Sequence, residues 1–212
     1  MEIEFNSFSV KSRKGPPATY TFRKHSKQSE TLVVAFPGQA YKMDAPLMWY
    51  SALVALESGS DVLGIEYSFQ VGGEPRENLP FPVVVEEVSK AVKAFVENHE
   101  YRRIVFLAKS IGTEIAARIA GSGEVHVSKY VFLTPLESTI ELINSAKEMM
   151  VVVGDSDPVF PESCIRKILD LSRVTIIEGG NHLLEIPGNA LKSIDILKEV
   201  AEKITGFLRN DT

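Results

Sequence analysis

The stretch YRRIVFLAKSIGTEIAARIA, Tyr101 to Ala120, decides how the rest of the chain is read. Its apolar run, Ile104 to Ala108, leads directly into Lys109-Ser110-Ile111-Gly112, and a helix-like pattern begins near Ile111. A continuous apolar run of this kind suits a strand covered on both faces, as in a parallel sheet. Ser110 stands at the junction, with the small residues Ala108 and Gly112 two positions to either side. Three roles fit a serine there. It is a nucleophile lifted out on a sharp turn, the N-cap of the following helix, or the end of a phosphate-binding loop. The last reading rests on Lys109-Ser110, which match the final two letters of G-x-x-x-x-G-K-[ST]; it fails because positions 103 to 108, RIVFLA, contain no glycine. A sharp turn, by contrast, needs small neighbours because the chain passes close to itself.

Outward from this junction the chain alternates between strands and helices. Towards the N-terminus, TLVVAF (Thr31–Phe36) is a second continuous apolar run, and DVLGIEYSF (Asp61–Phe69) a third strand. Ahead of them, Ile3 and Phe5, then Phe8 and Val10, alternate with a phase slip at Asn6–Ser7, which predicts an edge strand with a bulge. ATYTFRK (Ala18–Lys24) alternates again. Between these strands, DAPLMWYSALVALESGS predicts a helix with Asp44 as N-cap and Pro46 in its first turn. Pro82 opens a long helix carrying Val85, Val88, Val92, Phe95 and Val96. Beyond Ser110 come the strand KYVFLTPL, the short helix STIELINSA, the strand EMMVVVG, the helix PESCIRKILDLS, the strand RVTIIEGG and a closing helix from about Asn189 to Leu208. Two antiparallel strands followed by strand–helix units predict an α/β fold in one domain over residues 1–212. The sheet is eight-stranded and mostly parallel, with helices on both faces.

Bulk composition narrows the function classes. The 212 residues are 44% apolar and 24% charged, ordinary for a soluble globular protein. A net charge of −5 argues against nucleic acid or an anionic membrane as main partner. No apolar stretch approaches the ~20 residues of a membrane span, and the acidic, alternating start MEIEFNSFSV does not read as a signal peptide. The single cysteine, Cys164, excludes an internal disulfide and a cysteine-rich metal site. The expected setting is the cytoplasm.

In parallel sheets, sites form at the carboxyl ends of the strands. After four of these strands come Pro37-Gly38-Gln39-Ala40-Tyr41, Lys109-Ser110-Ile111-Gly112, GDSDPVFP (Gly154–Pro161) and GGNHLLEIPG (Gly179–Gly188). On one rim they supply what a nucleophilic serine needs: a base, a carboxylate to fix that base's tautomer, and donors for the oxyanion. Ser110 is the candidate nucleophile, His182 the base and Asp157 the orienting acid, with the backbone N–H groups of Ile111 and Gln39 as oxyanion donors. Asp155 competes with Asp157 and reads as a turn residue; Glu137 is a lesser candidate. His25, His99 and His126 read as structural or solvated. Lys109 is expected to point away from the pocket, solvated or paired, rather than to attract an anionic substrate, and Cys164 to fill a small core position.

These motifs resemble the α/β-hydrolase superfamily. AKSIG resembles its G-x-S-x-G nucleophile elbow, with Ala108 replacing the first glycine. GDSDPVFP resembles its acid loop, GGNH its histidine loop and FPGQAY its oxyanion loop, and the order Ser110, Asp157, His182 is also the superfamily's. The resemblance implies a serine hydrolase acting on a small-molecule ester or thioester through an acyl-enzyme, without cofactor or metal. Only Thr134 to Lys147 separate the sixth and seventh strands, too few for a lid or cap domain. The pocket is then expected to be shallow, lined by Tyr41, Met43 and Met48, and by Phe69, Leu79 and Phe81 of the long loop Ser68–Pro82. Two alternatives keep the same fold: a non-catalytic binding module with an idle triad, and an acyltransferase.

Overall fold

The apolar runs become strands in the computed structural model of the chain, which describes residues 2–13, 15–72 and 80–210. The strands are β1 (Ile3–Val10), β2 (Ala18–His25), β3 (Thr31–Phe36), β4 (Asp61–Gly64), β5 (Arg103–Lys109), β6 (Lys129–Leu133), β7 (Met149–Gly154) and β8 (Val174–Ile177). They form one eight-stranded sheet in the order β1-β2-β4-β3-β5-β6-β7-β8. β2 pairs antiparallel with β1 and with β4; the remaining neighbours are parallel. The helices are α1 (Pro46–Glu57), α2 (Ser68–Gly72), α3 (Phe81–Glu97), α4 (Ile111–Gly121), α5 (Ile140–Ser145), α6 (Glu162–Ile165) and α7 (Ala190–Arg209).

The central strands are apolar over Leu32–Phe36 and Ile104–Ala108 because both faces are covered. Leu32, Val34 and Phe36 of β3, and Ile104, Phe106 and Ala108 of β5, pack against α3 and α4. Val33 and Ala35, and Val105 and Leu107, point the other way, into the layer closed by α1 and α7. Burying each of the larger of these side chains, Val, Leu, Ile and Phe, contributes about 1.5–3 kcal/mol, so the two inner strands anchor both layers. Their shared register, Phe36 beside Ala108, brings the loops after β3 and β5 to the same point on the rim.

Four local expectations are corrected. β1 has no bulge: it pairs residue by residue from Ile3–His25 to Val10–Ala18. Its phase slip is a change of layer, since Ile3 packs with the α1/α7 side and Phe8 and Val10 with the α3/α4 side. Asp44 does not cap α1. Ala45 is the N-cap residue, without a side-chain bond, and the Leu47 amide donates to the Tyr41 hydroxyl at 3.0 Å instead. The strand expected over Asp61–Phe69, β4, stops at Gly64, and Ser68–Gly72 turn into α2. Finally, PESCIRKILDLS is helical only over Glu162–Ile165. Asp170 accepts the Ser172 amide at 3.0 Å and caps a 3₁₀ turn at Leu171–Arg173, a local bond that competes with continued helix.

Between β6 and β7 there is a 3₁₀ turn, Glu137–Thr139, and the short α5, with no further domain over the rim. No helix among the described residues is long and apolar enough to cross a membrane.

Candidate active site

Ser110 sits where β5 ends and α4 begins, with φ 52° and ψ −123°, a conformation that L-residues rarely adopt. Such strain costs on the order of 1–3 kcal/mol and persists only where the surroundings over-determine it. Here the Ser110 amide donates to the Leu133 carbonyl at 3.1 Å, while its own carbonyl accepts from the Thr113 amide at 2.9 Å and the Thr113 hydroxyl at 2.7 Å. The turn also depends on Gly112. A Cβ there would lie 2.3 Å from the Phe36 carbonyl oxygen and 2.6 Å from that of Pro37, so only glycine lets α4 start so close to the loop after β3. The Ser110 hydroxyl makes no capping bond to α4. It lies instead 2.8 Å from His182 Nε2.

His182 comes from the loop after β8. The Asn181 side chain accepts the Leu183 and Glu185 amides at 2.8 and 3.1 Å, folding the chain sharply around the histidine, and Leu184 adopts φ 57° within that turn. The ring's Nδ1 lies 2.7 Å from Asp157 Oδ2. Asp157 is buried, 2% exposed, and its other oxygen accepts the Val159 amide at 2.8 Å. Burial by itself would raise the carboxyl's pKa; the bonds from His182, Val159 and Phe160 outweigh it and hold the pKa below the ordinary aspartate value. The loops after β7 and β8 are locked together at Gly154, where a Cβ would fall 1.9 Å from the Gly180 carbonyl oxygen.

Asp155, by contrast, is exposed and accepts the Gly179 amide at 2.7 Å, tying the same two loops without reaching His182. Glu137 is paired with Lys167 on the surface. The structure therefore brings Ser110, His182 and Asp157 together and leaves the other two carboxylates outside. His25 and His99 are bonded to the carbonyls of Leu56 and Phe95 at 2.9 and 2.8 Å, and His126 is exposed. Cys164 is buried in the core.

The loop after β3 lies against the serine: a Cβ on Gly38 would be 3.5 Å from Ser110 Cβ. Within it the Gly38 amide donates to the Tyr41 carbonyl at 3.0 Å. The Ile111 amide, at the first turn of α4, has no intrahelical acceptor. Among the described residues neither the Ile111 nor the Gln39 N–H donates to a protein group.

Lys109 was the least expected part of the site. It is 1% exposed, and its Nζ donates to the Thr134 hydroxyl at 2.8 Å and to the His182 carbonyl at 2.7 Å, 4.9 Å above the Tyr41 ring centre. It is paired, but with neutral oxygens beneath the base rather than with solvent or a carboxylate. Burial pushes its ammonium down to about 8, against the attraction of Asp157 and Glu185. Thr134 itself has φ 43°.

The pocket residues divide. Tyr41 borders a cleft of about 510 Å³ that Leu183 and Leu184 also line, whereas Met43 faces Gly64 on the other side of the loop. Met48 and Phe69 are core residues, 0% and 4% exposed, Phe69 stacked on Tyr67; both faces of the sheet claim their side chains before any pocket does. Phe81 opens α3 with its ring under the Arg118 guanidinium, away from the triad. Leu79 lies outside the described residues. Sequence reasoning missed Thr113, Thr134, Tyr67 and Gln70, which hold the rim from behind; bonds to backbone carbonyls, or to a single side chain as from Lys109 to Thr134, leave no spacing signature. Among the described residues no cluster of His, Cys, Asp or Glu is arranged to hold a metal ion.

No protein-family model and no curated protein sequence matches the chain. Its structure is similar to that of an α/β serine hydrolase homologue from Coxiella burnetii, with TM-score 0.71 and 17% identity over 95% of this chain and 96% of that one. A dienelactone hydrolase from Anabaena variabilis aligns with TM-score 0.74 and 17% identity, covering 98% of this chain and 97% of that one. An α/β serine hydrolase without a lid, from Xanthomonas campestris, aligns with TM-score 0.67 and 13% identity, covering 97% and 94%. With its strand order, its parallel core and these structural neighbours, the chain has the α/β-hydrolase fold.

Proposed function

We propose that the protein is a serine hydrolase that cleaves an ester-type bond, an ester or thioester of a small molecule, through an acyl-enzyme. The observation that carries this reading is the pair of contacts at His182, 2.8 Å to Ser110 Oγ and 2.7 Å to Asp157. With Nδ1–H donated to the carboxylate, Nε2 has its lone pair free for the serine proton. Ser110 Oγ attacks the acyl carbon as that proton passes to His182. The negative charge gathers on the former carbonyl oxygen, where the Gln39 and Ile111 amides donate to it. Collapse breaks the bond to the leaving group, which takes the proton back from His182. Water then enters by the same route, giving its proton to His182 as it attacks the acyl-enzyme, and the released serine oxygen recovers it.

Substrate class is inferred from the cleft lined by Leu183 and Leu184, the two residues that follow His182 in the chain. Its lining is largely apolar, with Tyr41, Leu47, Leu183, Ile186, Ile194 and Leu197, and it is open to solvent. Lys109, the cation next to the serine in the chain, is occupied by Thr134 and His182 and is not free for an anionic substrate. Both features favour a neutral substrate with an apolar group of modest size. Neighbours in fold that are named as a dienelactone hydrolase and an esterase fit an ester-type bond. The test is hydrolysis of p-nitrophenyl acetate. Ser110→Ala is expected to lower kcat by at least about 10⁴-fold while leaving the melting temperature within a few degrees of wild type. Undiminished turnover in that variant would overturn the reading.

A further inference from the structure

The loop after β3 carries its own internal support, and the support comes from α2. Gln70, 8% exposed, donates from Nε2 to the Gly38 carbonyl at 2.8 Å and to the Gln39 carbonyl at 3.2 Å. Its Oε1 is fixed in turn by the Tyr67 amide at 3.1 Å, so the carboxamide cannot flip without losing both sets of bonds. One step upstream, the buried Tyr67 hydroxyl donates to the Pro37 carbonyl at 3.0 Å. Burial, with Tyr20 nearby, keeps that phenol's pKa well above its ordinary value, so it stays a donor. Three successive carbonyls of the loop are thus pulled towards α2 by two side chains.

A trans peptide unit holds its C=O and the next residue's N–H on opposite sides, and the described chain contains no cis peptide bond. Fixing the Gly38 carbonyl on Gln70 therefore fixes the Gln39 N–H, which must project from the opposite edge of the same plane, away from α2. Among the described residues that N–H donates to no protein group, and a Cβ on the preceding Gly38 would lie 3.5 Å from Ser110 Cβ.

We propose that Gln70, seconded by Tyr67, is the positioning residue of the oxyanion site: it sets the Gly38–Gln39 peptide plane so that the Gln39 amide meets the charge formed on the substrate oxygen. The inference rests on the hydrolase reading above. It also accounts for β4 stopping at Gly64, because α2 must fold back over the loop to deliver Gln70. A donor left to rotate would stabilise the charged intermediate less than one fixed in advance.

The test compares wild type with Gln70→Met, which keeps the side chain's length and removes the donor, and Gln70→Glu, which sets a carboxylate against the Gly38 carbonyl. Each is assayed on p-nitrophenyl acetate and on its thiono analogue, in which sulfur, a poor hydrogen-bond acceptor, replaces the carbonyl oxygen. For the oxygen ester, kcat is expected to fall roughly 10- to 100-fold in Gln70→Met and further in Gln70→Glu, with KM within about threefold. The oxygen-to-sulfur rate ratio should shrink by a similar factor, because the donor's advantage is specific to oxygen. Tyr67→Phe, one peptide removed, should shrink the same ratio less, and it carries the test should the Gln70 variants fail to fold. Folded variants that lose rate while keeping the wild-type ratio, or that lose nothing, would overturn the proposal and leave the hydrolase reading intact. A wild-type protein inert towards both esters would overturn both.

Discussion

At the amino ends of the parallel strands, Asp61 of β4 accepts the His25 amide at 2.8 Å and the Tyr101 hydroxyl at 2.7 Å. At their carboxyl ends, Asp157 accepts the Val159 amide and His182 at similar distances. Each cluster holds a buried aspartate bonded to a neighbouring ring; the first borders a cleft of about 860 Å³, and a cleft of about 510 Å³ lined by Tyr41, Leu183 and Leu184 lies at the carboxyl end. By volume and polarity the amino end is the better candidate. Its bonds say otherwise. Both oxygens of Asp61 are taken, His25 and His99 are committed to backbone carbonyls, and the Tyr101 phenol is held protonated by burial and by its bond to Asp61. None of these four groups is left free to act on a ligand. The carboxyl end holds the chain's strained backbone instead: among the described residues, the non-glycine positions with positive φ are Ser110, Thr134 and Leu184, all on that rim. It also holds a hydroxyl aligned with a base, and amides with no protein acceptor. Strain and unspent donors, rather than cavity size, separate the site from a structural cluster.

That contrast can be broken or sharpened by substitution. Beyond the loss expected in Ser110→Ala, the largest effect should come from Lys109→Met. It removes the tether from β5 to the His182 carbonyl, and small displacements of a catalytic group cost rate steeply. We expect kcat on p-nitrophenyl acetate to fall roughly 10- to 100-fold; an unchanged kcat would make Lys109 a packing residue only.

The same variant gives the next effect, in stability against pH. The folded ammonium of Lys109 has its pKa lowered from 10.5 to about 8, by burial opposed by Asp157 and Glu185, with Thr134, Tyr41 and the His182 carbonyl in direct contact. Below about 8 both folded and unfolded chains carry the proton, and the folded chain bears the burial cost. Between about 8 and 10.5 only the unfolded chain still holds it, so this group makes stability rise with pH. Wild type should therefore gain on Lys109→Met by roughly 3 kcal/mol across that window in urea titrations; parallel pH profiles would contradict it. The smallest effect should be at the other end of the sheet. Tyr101→Phe deletes one bond to Asp61 and should cost about 1 kcal/mol of stability with kcat unchanged. A large loss of activity there would erase the distinction between the two ends.

Much of this was legible in the sequence because it rests on strong, local signals. Continuous apolar runs such as Ile104–Ala108 mark strands buried on both faces, and the loops after them hold Ser110, Asp157 and His182 in an order that topology alone brings together. Gly112 was legible as a close approach. What escaped was decided by contacts distant in sequence. The phase slip in β1 looks like a bulge until two packing layers are known to flank it. Asp44 is a good cap by type, but Tyr41 reaches the α1 amide first. Phe69 has the composition of a pocket wall and lies in the core because α2 turns it inward. Lys109 and Gln70 carry no motif at all; their importance lies in which backbone carbonyls they hold, 73 and 32 residues away along the chain.

The account stands on Ser110 Oγ being a nucleophile armed by His182. The most direct measurement is the intact mass of the protein after reaction with a fluorophosphonate probe, with the modified residue located by peptide mapping. The account predicts one adduct per chain, carried by Ser110 and absent from Ser110→Ala. A wild-type protein that stays unmodified, or an equal adduct on the Ser110→Ala variant, would contradict it.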